Sequence, residues 1–292
     1  MSTMPIMRVA RDVLGLFKLR IGFMIMITAL VGLAVTPGPA LRWPSVLVLA
    51  LAVLVASASA GLFNQYYERD VDRLMPRTRG RAFVTGALPC TPAWLLLIAA
   101  LLCVAVAAAG WTLNPLSAAC VFLGAFFYAV VYTVWLKRRS WLNIVIGGLA
   151  GSFAVLAGAA AVDPAIGPLG MLLAAVLFLW TPPHFWSLAI ANHAEYAAAG
   201  VPMLPVVVGT ARAARIVLWS TVALASTALL PGLFGAGPVY LAGALAGGGF
   251  FVYSAWLLAR APSRKTAMAA FFASLVQLSL LLAAATLDSL LR

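Results

Sequence analysis

Long apolar runs limit this chain to a small number of folds. Nine such runs, most of them about 20 residues long, follow one another with few charged residues inside them. An α-helix needs about 20 apolar residues to cross the ~30 Å hydrocarbon layer of a membrane, where it satisfies its own backbone hydrogen bonds. We therefore predict an all-α integral membrane protein with nine transmembrane helices. The predicted spans are residues 21–35, 45–63, 92–110, 115–136, 141–162, 168–190, 214–234, 238–259 and 268–290.

Composition and charge agree with a membrane protein and predict its orientation. Apolar residues make up 64% of the chain and charged residues only 9%. With the N-terminus in the cytoplasm, seventeen of the nineteen basic residues lie on the cytoplasmic side. This asymmetry accounts for most of the net charge of +12, so nucleic-acid binding is not predicted. No cleavable signal or transit sequence is recognised, and we expect one domain, residues 1–292, in a bacterial inner membrane.

The polar stretch 64–81 stands out between the second and third predicted spans. Asn64, Glu68 and Asp72 recur every four residues, so a helix that continued to Pro76 would align their oxygens on one stripe. Amide and carboxylate oxygens suit Mg²⁺ that is held partly by protein and partly by substrate phosphates. The stretch also carries five arginines, Arg69, Arg73, Arg77, Arg79 and Arg81. Guanidinium groups bind phosphate bidentately. We predict a site for a magnesium-bound diphosphate, although a solvated loop that only orients the helices would also explain the arginines.

A second polar region lies between residues 180 and 210. Pro182 and Pro183 are expected to break or kink the sixth helix, directly before His184. An ionisable residue at membrane depth points to function, although a packing role is the alternative. Glu195 follows eleven residues later, on nearly the same face if the helix continues. It could bind a second magnesium, position an acceptor or only solvate the loop, and these alternatives stay open.

Several polar or aromatic residues in or beside the apolar runs receive structural interpretations. Tyr128, Tyr132 and Trp135 are predicted to be aromatic residues at the membrane interface. Gln277 and Ser279 are predicted to form hydrogen bonds between helices. The pair Lys18 and Arg20, beside the start of the first span, is interpreted as a marker of the membrane boundary.

Two motifs resemble those of the UbiA superfamily of intramembrane prenyltransferases, and within it the branch that prenylates haem b. The first is Asn-x-x-x-Glu-x-x-x-Asp from Asn64 to Asp72, followed by MPRTRGR, with Glu where the family more often has Asp. The second is TPPHFWSLAI with EYAAAGVPMLP. The resemblance covers essentially the whole chain. It implies a helical bundle around a lipid-accessible cavity, capped by two inward loops.

The resemblance also implies an activity and roles for individual residues. A farnesyl group would pass from farnesyl diphosphate to the 2-vinyl group of haem b, making haem O for terminal oxidases. Membrane lipid would surround the protein, with haem A synthase or oxidase assembly factors as further partners. By motif, Mg²⁺ would be held by Asn64, Glu68 and Asp72, the diphosphate by Arg73, Arg77 and Arg81, and the haem by His184, Glu195 and Tyr196. The catalytic set would be Asn64, Glu68, Asp72, Arg77, Arg81 and His184.

Three other functions are compatible with parts of the pattern. A prenyltransferase of the same superfamily could act on 4-hydroxybenzoate or a quinone precursor, although the PPHFW and AGVPMLP segments favour haem. A secondary transporter could use Glu68, Asp72 and His184 as coupling sites. Transporters place such groups near the bilayer midplane, whereas the polar groups here are predicted at the cytoplasmic rim. A non-catalytic haem chaperone would have no use for a diphosphate site.

Overall fold

The computed structural model describes residues 6–291, with side chains from residue 11 onward, and this part of the chain contains helices and no strand. The helices are α1 (Ile6–Leu16), α2 (Leu19–Val35), α3 (Trp43–Tyr67), α4 (Arg69–Asp72), α5 (Ala82–Thr85), α6 (Ala93–Thr112), α7 (Pro115–Phe126), α8 (Asn143–Gly147), α9 (Leu149–Val162), α10 (Pro168–Ala191), α11 (His193–Ala198), α12 (Leu204–Val208), α13 (Thr210–Thr227), α14 (Pro238–Arg260) and α15 (Arg264–Leu291). A π-helix (Phe127–Leu136) continues α7, and a 3₁₀ segment (Leu230–Phe234) follows α13.

Eight helical stretches within residues 6–291 are long and apolar enough to cross a membrane. They cover eight of the nine predicted spans, so the all-helical membrane architecture is confirmed. The remaining predicted span corresponds to α2, which is apolar but only 17 residues long. At 1.5 Å per residue it extends about 26 Å, which is close to the lower limit for a membrane crossing. The count of nine crossings therefore stays a prediction.

The predicted break in the sixth span is wrong, because α10 runs without interruption through Pro182 and Pro183. Proline removes a backbone donor, but the other donors in the helix are unaffected. Two hydroxyl groups add local bonds on either side of the prolines. Thr181 donates to the carbonyl of Leu177 over 3.0 Å, and Ser187 donates to that of Pro183 over 2.7 Å. A helix in a membrane keeps its remaining backbone bonds because no water is present to replace them.

Small residues bring α2 and α9 into backbone contact. A Cβ atom added to Gly158 would lie 1.8 Å from the carbonyl oxygen of Ala29, and one added to Gly32 would lie 2.3 Å from that of Val155. Neither position has room for any side chain. Helices in membranes associate through such close packing, because burial of apolar surface gives little advantage within lipid. This contact fixes α2, and the lysine that precedes it, against the rest of the bundle.

A buried carboxylate near the C-terminal end of α15, outside both sequence motifs, stabilises the contact between two helices. Asp288 of α15 accepts hydrogen bonds from the backbone N–H groups of Gly237 (2.8 Å) and Tyr240 (3.3 Å). These groups belong to the start of α14, where N–H donors have no partner within the helix. Asp288 therefore caps α14 from a neighbouring helix and has a structural role.

Gln277 is fully buried in α15, and neither polar atom of its side-chain amide has a hydrogen-bond partner. The predicted interhelical hydrogen bond is therefore wrong. An unsatisfied buried polar group costs about 1–3 kcal/mol. We expect Gln277→Met, which keeps the volume and removes the amide, to raise the thermal unfolding temperature in detergent. Ser274→Ala is the matched control, since it removes a hydroxyl that is bonded, and it should lower that temperature. A lower unfolding temperature for Gln277→Met would contradict this interpretation.

Candidate active site

Three loops meet at one end of the bundle, called the polar end below. The loop after α3 contacts the loop after the π-helix through Glu68 and Lys137, whose carboxylate oxygen and ammonium nitrogen lie 2.5 Å apart. It also contacts the segment after α10 through Arg77, which donates to the hydroxyl of Tyr196 over 2.8 Å. The two polar regions predicted from the sequence are therefore brought together. Their partners include the loop at residue 137, which the sequence did not single out.

The first motif keeps its four-residue repeat, although the helix ends earlier than predicted. Regular helix stops at Tyr67 and not at Pro76, because Glu68 adopts φ −92° and ψ 7°. The N–H of Glu68 still donates to the carbonyl of Asn64 (3.0 Å), and that of Asp72 to the carbonyl of Glu68 (2.9 Å). The helical bonding pattern thus carries the three side chains onto a common side. All three are buried, at 2%, 1% and 4% exposure for Asn64, Glu68 and Asp72.

Each side chain of this motif is paired with a cation from the chain itself. Lys18 donates to Oδ1 of Asn64 over 2.6 Å, and Lys137 lies 2.5 Å from Oε2 of Glu68. Arg81 lies 2.5 Å from Oδ2 of Asp72. Buried carboxylates require such partners, because an unpaired buried charge is strongly destabilising. We call these six residues the oxygen–cation cluster: Asn64, Glu68, Asp72, Lys18, Lys137 and Arg81.

Lys18 belongs to this cluster and does more than mark the membrane boundary. Its backbone is left-handed, with φ 49° and ψ 41°, a conformation that a residue with a side chain rarely adopts. The ammonium group also donates to the hydroxyl of Tyr128 over 3.1 Å. Burial, reinforced by neighbouring Arg81, lowers the pKa of Lys18 to about 8, although Glu68 and Asp72 oppose the shift. A lysine before a first span is common, so the sequence contained no signal for this role.

The π-helix explains why the residues of the fourth span were misinterpreted. Its backbone bonds join residues five apart, as from Lys137 N–H to the carbonyl of Tyr132 (2.9 Å). Thr133 donates its hydroxyl to the carbonyl of Tyr128 and accepts from Nδ2 of Asn64. Tyr128 and Tyr132 stack with centroids 5.7 Å apart, and the ammonium groups of Lys18 and Lys137 lie over these two rings respectively. The two tyrosines therefore line the oxygen–cation cluster, which corrects their prediction as interface residues.

Trp135 differs from the two tyrosines. It is half exposed, as a residue facing the membrane interface would be.

The residues of the cluster fit a magnesium ion. Amide and carboxylate oxygens are hard ligands of the kind that Mg²⁺ selects. The second carboxylate oxygen of Glu68, Oε1, is buried and has no hydrogen-bond partner, although Oε2 accepts from Lys137 and Asn64. A buried anionic oxygen without a donor is costly unless a cation joins it. Within residues 11–291 no three His, Cys, Asp or Glu side chains gather as a metal site, so substrate oxygens would have to complete the coordination.

Arg77 links the two loops at the polar end. Besides its bond to Tyr196, its Nε lies 3.7 Å from Oε2 of Glu195, and its guanidinium stacks over the Tyr196 ring at 5.1 Å. Burial raises the pKa of Tyr196, and the nearby Arg77 opposes that shift. Glu195 does not share a helix face with His184, because α10 ends at Ala191 and a separate helix, α11, begins at His193. The condition under which they would share a face, a continued helix, is therefore not met.

Two charged residues of the first loop lie outside the cluster. Arg73 is exposed, and no hydrogen bond or ion pair joins it to any side chain of residues 11–291. Asp70 forms a bidentate pair with Arg138 at 2.7 and 2.8 Å. The hydrogen bond from Arg138 lowers the pKa of Asp70. This exposed pair joins the first loop to the loop after the π-helix.

His184 is buried between two helices, apart from the oxygen–cation cluster. Its ring stacks between Trp180 (4.1 Å between centroids) and Phe271 (4.6 Å). Its Nδ1 lies 2.6 Å from the hydroxyl of Ser274, which itself donates to the carbonyl of Phe271 over 2.6 Å. The hydroxyl has a single proton, so when it donates to the carbonyl of Phe271, Nδ1 carries the hydrogen and Nε2 keeps a lone pair. The predicted position of His184 at the haem end stays a prediction.

Comparison with known proteins identifies the family. Residues 25–276 match the model of the UbiA prenyltransferase family. Two proteins of Paramagnetospirillum magneticum are similar along nearly their whole length. Protoheme IX farnesyltransferase 2 is 55% identical, covering 95% of this chain and 96% of the relative. Protoheme IX farnesyltransferase 1 is 48% identical, covering 95% of this chain and 98% of the relative.

Solved structures share the fold at lower identity. A digeranylgeranylglyceryl phosphate synthase superposes with a TM-score of 0.81 at 17% identity, covering 97% of this chain and 99% of the other. A UbiA homologue from Archaeoglobus fulgidus, bound to DMAPP and Mg²⁺, has a TM-score of 0.70 at 15% identity, with coverages of 92% and 99%. The helical bundle, the matched family model and the full-length relatives lead to one assignment. This chain belongs to the UbiA prenyltransferase family.

Proposed function

We propose that this protein transfers a farnesyl group from farnesyl diphosphate to the 2-vinyl group of haem b, producing haem O for terminal oxidases. The observation that carries the proposal is the oxygen–cation cluster, with one unpartnered carboxylate oxygen on Glu68 and three cations around it. Relatives at 55% and 48% identity that are named protoheme IX farnesyltransferases support haem as the acceptor. In a non-catalytic haem chaperone, a site for diphosphate would have no evident use.

The proposal includes an arrangement in the membrane. Residues 1–292 form one domain with nine transmembrane helices, α2 being the shortest, around a lipid-accessible cavity. The N-terminus and the polar end face the cytoplasm of a bacterial cell, with the protein in the inner membrane. The distribution of basic residues supports this orientation.

Asn64, Glu68 and Asp72 are the residues that would hold Mg²⁺ in this cluster. The bound ion would neutralise negative charge on the departing diphosphate. Titration of the purified protein with Mn²⁺, followed by electron paramagnetic resonance, tests the metal site without relying on turnover.

The cations of the polar end bind and orient the diphosphate. The side-chain oxygens of the first motif are surrounded by Lys18, Lys137 and Arg81. Arg77 is a fourth cation nearby, and its charge helps to lower the pKa of Lys18. Guanidinium groups would bind the diphosphate oxygens bidentately, and the ammonium groups would donate single hydrogen bonds. In a site with little water these fixed charges stabilise the leaving group as its charge develops. Arg73, which is exposed, would join this set only after a rearrangement of its loop.

Bond changes in the proposed reaction balance without a redox partner. The allylic C–O bond breaks, and its electron pair leaves with the diphosphate. The π electrons of the haem vinyl group then form a C–C bond to the farnesyl cation. Water adds to the resulting cation and loses a proton, giving the hydroxyethylfarnesyl group.

The choice of acceptor is tested by direct competition. Purified protein in detergent would receive farnesyl diphosphate and Mg²⁺ with haem b, with 4-hydroxybenzoate, or with both. We expect haem b to be farnesylated in both reactions that contain it, and 4-hydroxybenzoate to be farnesylated in neither. Product from 4-hydroxybenzoate, with none from haem b, would assign the chain to the other branch of the family.

His184 is proposed to orient the haem, together with Glu195 and Tyr196 of α11. The lone pair on Nε2 is suited to haem iron. We expect His184→Ala to weaken haem b binding about tenfold or more and to leave magnesium-dependent farnesyl diphosphate binding within about threefold. Absorbance titration with haem and calorimetric titration with farnesyl diphosphate measure the two effects. Ser274→Ala keeps the ring and removes its partner, so it should have a smaller effect. Loss of diphosphate binding with an unchanged haem spectrum would place His184 with the other substrate.

A further inference from the structure

Gln65 is a buried amide beside the first motif residue, yet it contacts a different part of the chain. Its Nε2 donates to the carbonyl of Gly15 over 2.9 Å and to that of Leu16 over 3.0 Å. These carbonyls belong to the last turn of α1, where acceptors have no partner within the helix. Both hydrogens of one amide are therefore used to hold the end of α1 against α3.

The turn between α1 and α2 is pressed closely against α3 at the same place. A Cβ atom added to Gly61 would lie 3.3 Å from the carbonyl oxygen of Phe17 and 3.5 Å from Cβ of Lys18. Gly61 lies four residues before Gln65, on the same side of α3. The glycine permits the close approach of the turn, and the amide holds the turn in that position.

This contact determines where the Lys18 side chain begins. Lys18 follows Leu16 by two residues and has the left-handed backbone described above. Such a conformation is unfavourable for a residue with a Cβ atom and persists only when the surrounding structure enforces it. On α3, Asn64 accepts from Lys18 and its neighbour Gln65 holds the turn that carries Lys18. Adjacent residues of α3 thus hold the two parts of Lys18: Asn64 accepts from its ammonium group, and Gln65 holds the backbone just before it.

We propose that Gln65 is a positioning residue, which holds the α1–α2 turn so that Lys18 reaches into the oxygen–cation cluster. The amide of Gln65 donates to the end of α1 and not to the oxygens of that cluster, so Gln65 acts through Lys18. The inference rests on the proposed function, because Lys18 is assigned there to the diphosphate. It adds α1 to the elements that build the site.

The test is a double-mutant cycle on the full-length protein in detergent, read as the affinity for farnesyl diphosphate with Mg²⁺ by calorimetric titration. We expect Lys18→Met to weaken binding about tenfold or more, since it removes a charge-assisted donor, and Gln65→Met to weaken it by a similar or smaller factor. The double variant should bind no more weakly than Lys18→Met. Gln277→Met is the matched control, since it makes the same change at a buried amide without partners, and it should bind like the wild type.

Gly61→Ala provides a second approach to the same question. The added methyl group would push the turn away by a few tenths of an ångström while Gln65 stays intact. We expect this variant to bind farnesyl diphosphate more weakly. In a Lys18→Met background the same substitution should have no further effect. This variant carries the test if Gln65→Met does not fold.

Three results would overturn the inference. Wild-type affinity in both Gln65→Met and Gly61→Ala would show that the turn needs no such support. If the fold-losses in farnesyl diphosphate affinity of the two single variants multiply in the double variant, Gln65 acts independently of Lys18. Unchanged affinity in Lys18→Met would remove the lysine from the site. The first two results leave the proposed function untouched, and the third removes from it only the assignment of Lys18 to the diphosphate. Wild-type protein that fails to bind farnesyl diphosphate with Mg²⁺ would contradict the proposed function itself.

Discussion

Replacing Asp72 with alanine is expected to reduce farnesyl transfer by at least about a hundredfold at saturating farnesyl diphosphate, the scale typical of losing one electrostatic contact to a transition state. Asp72 is buried at the polar end, where its Oδ2 pairs with Arg81. Its loss removes a predicted magnesium ligand and frees Arg81 from its partner. Turnover of haem b by purified protein measures the effect.

The same turn of the chain offers a matched control for this substitution. Asp70 is also a carboxylate, but its side chain is 62% exposed and pairs with Arg138 outside the cluster. Asp70→Ala should therefore keep most of the activity, because exposed ion pairs contribute little to stability. Equal activities in the two variants, with Asp72→Ala near wild type, would show that the carboxylate at position 72 does not serve the reaction.

The charge of Glu68 should matter more than the length of its side chain. Glu68→Asp is expected to keep activity within about tenfold of the wild type. The carboxylate is retained, and the side chain, one methylene shorter, changes mainly the position of its oxygens. Glu68→Gln keeps the shape and removes the charge, so we expect a loss of about a hundredfold or more. Turnover and metal affinity of both variants would be measured at the same magnesium concentration. Similar behaviour of the two variants would exclude charge as the essential property of this position.

Glu68→Gln also needs a control for stability. Lys137 loses its buried counter-charge in this variant, and breaking a buried pair typically costs about 3–5 kcal/mol. The double variant Glu68→Gln, Lys137→Met removes both charges and should recover stability without recovering activity. Recovery of activity in the double variant would mean that the single substitution acted through folding alone.

Features encoded by local spacing were predictable from the sequence. Eight predicted spans are confirmed as helices long and apolar enough to cross a membrane, because length and apolar composition alone decide that property. The four-residue repeat of Asn64, Glu68 and Asp72 survives although α3 ends at Tyr67, since the backbone bonds at Glu68 and Asp72 remain helical.

Features that depend on distant contacts were not predictable. Lys18 and Asn64 are 46 residues apart, and Lys137 and Glu68 are 69 apart, so no spacing rule connects them. The π-helix places Tyr128 and Thr133 by a five-residue repeat, whereas sequence analysis assumes a period of 3.6. The prolines of α10 illustrate another limit, because the helix continues through Pro182 and Pro183 where local preference would break it.

Haem analysis in cells tests the central claim most directly. Haems would be extracted from cells that lack this gene, from cells complemented with the wild-type gene, and from cells complemented with Glu68→Gln, and then identified by mass spectrometry. The account predicts haem b alone in the first and third cases, and farnesylated haem O, or a haem made from it, in the second. Haem O at equal levels in all three, or in none while wild-type protein is present in the membrane, would contradict farnesyl transfer to haem b at this site.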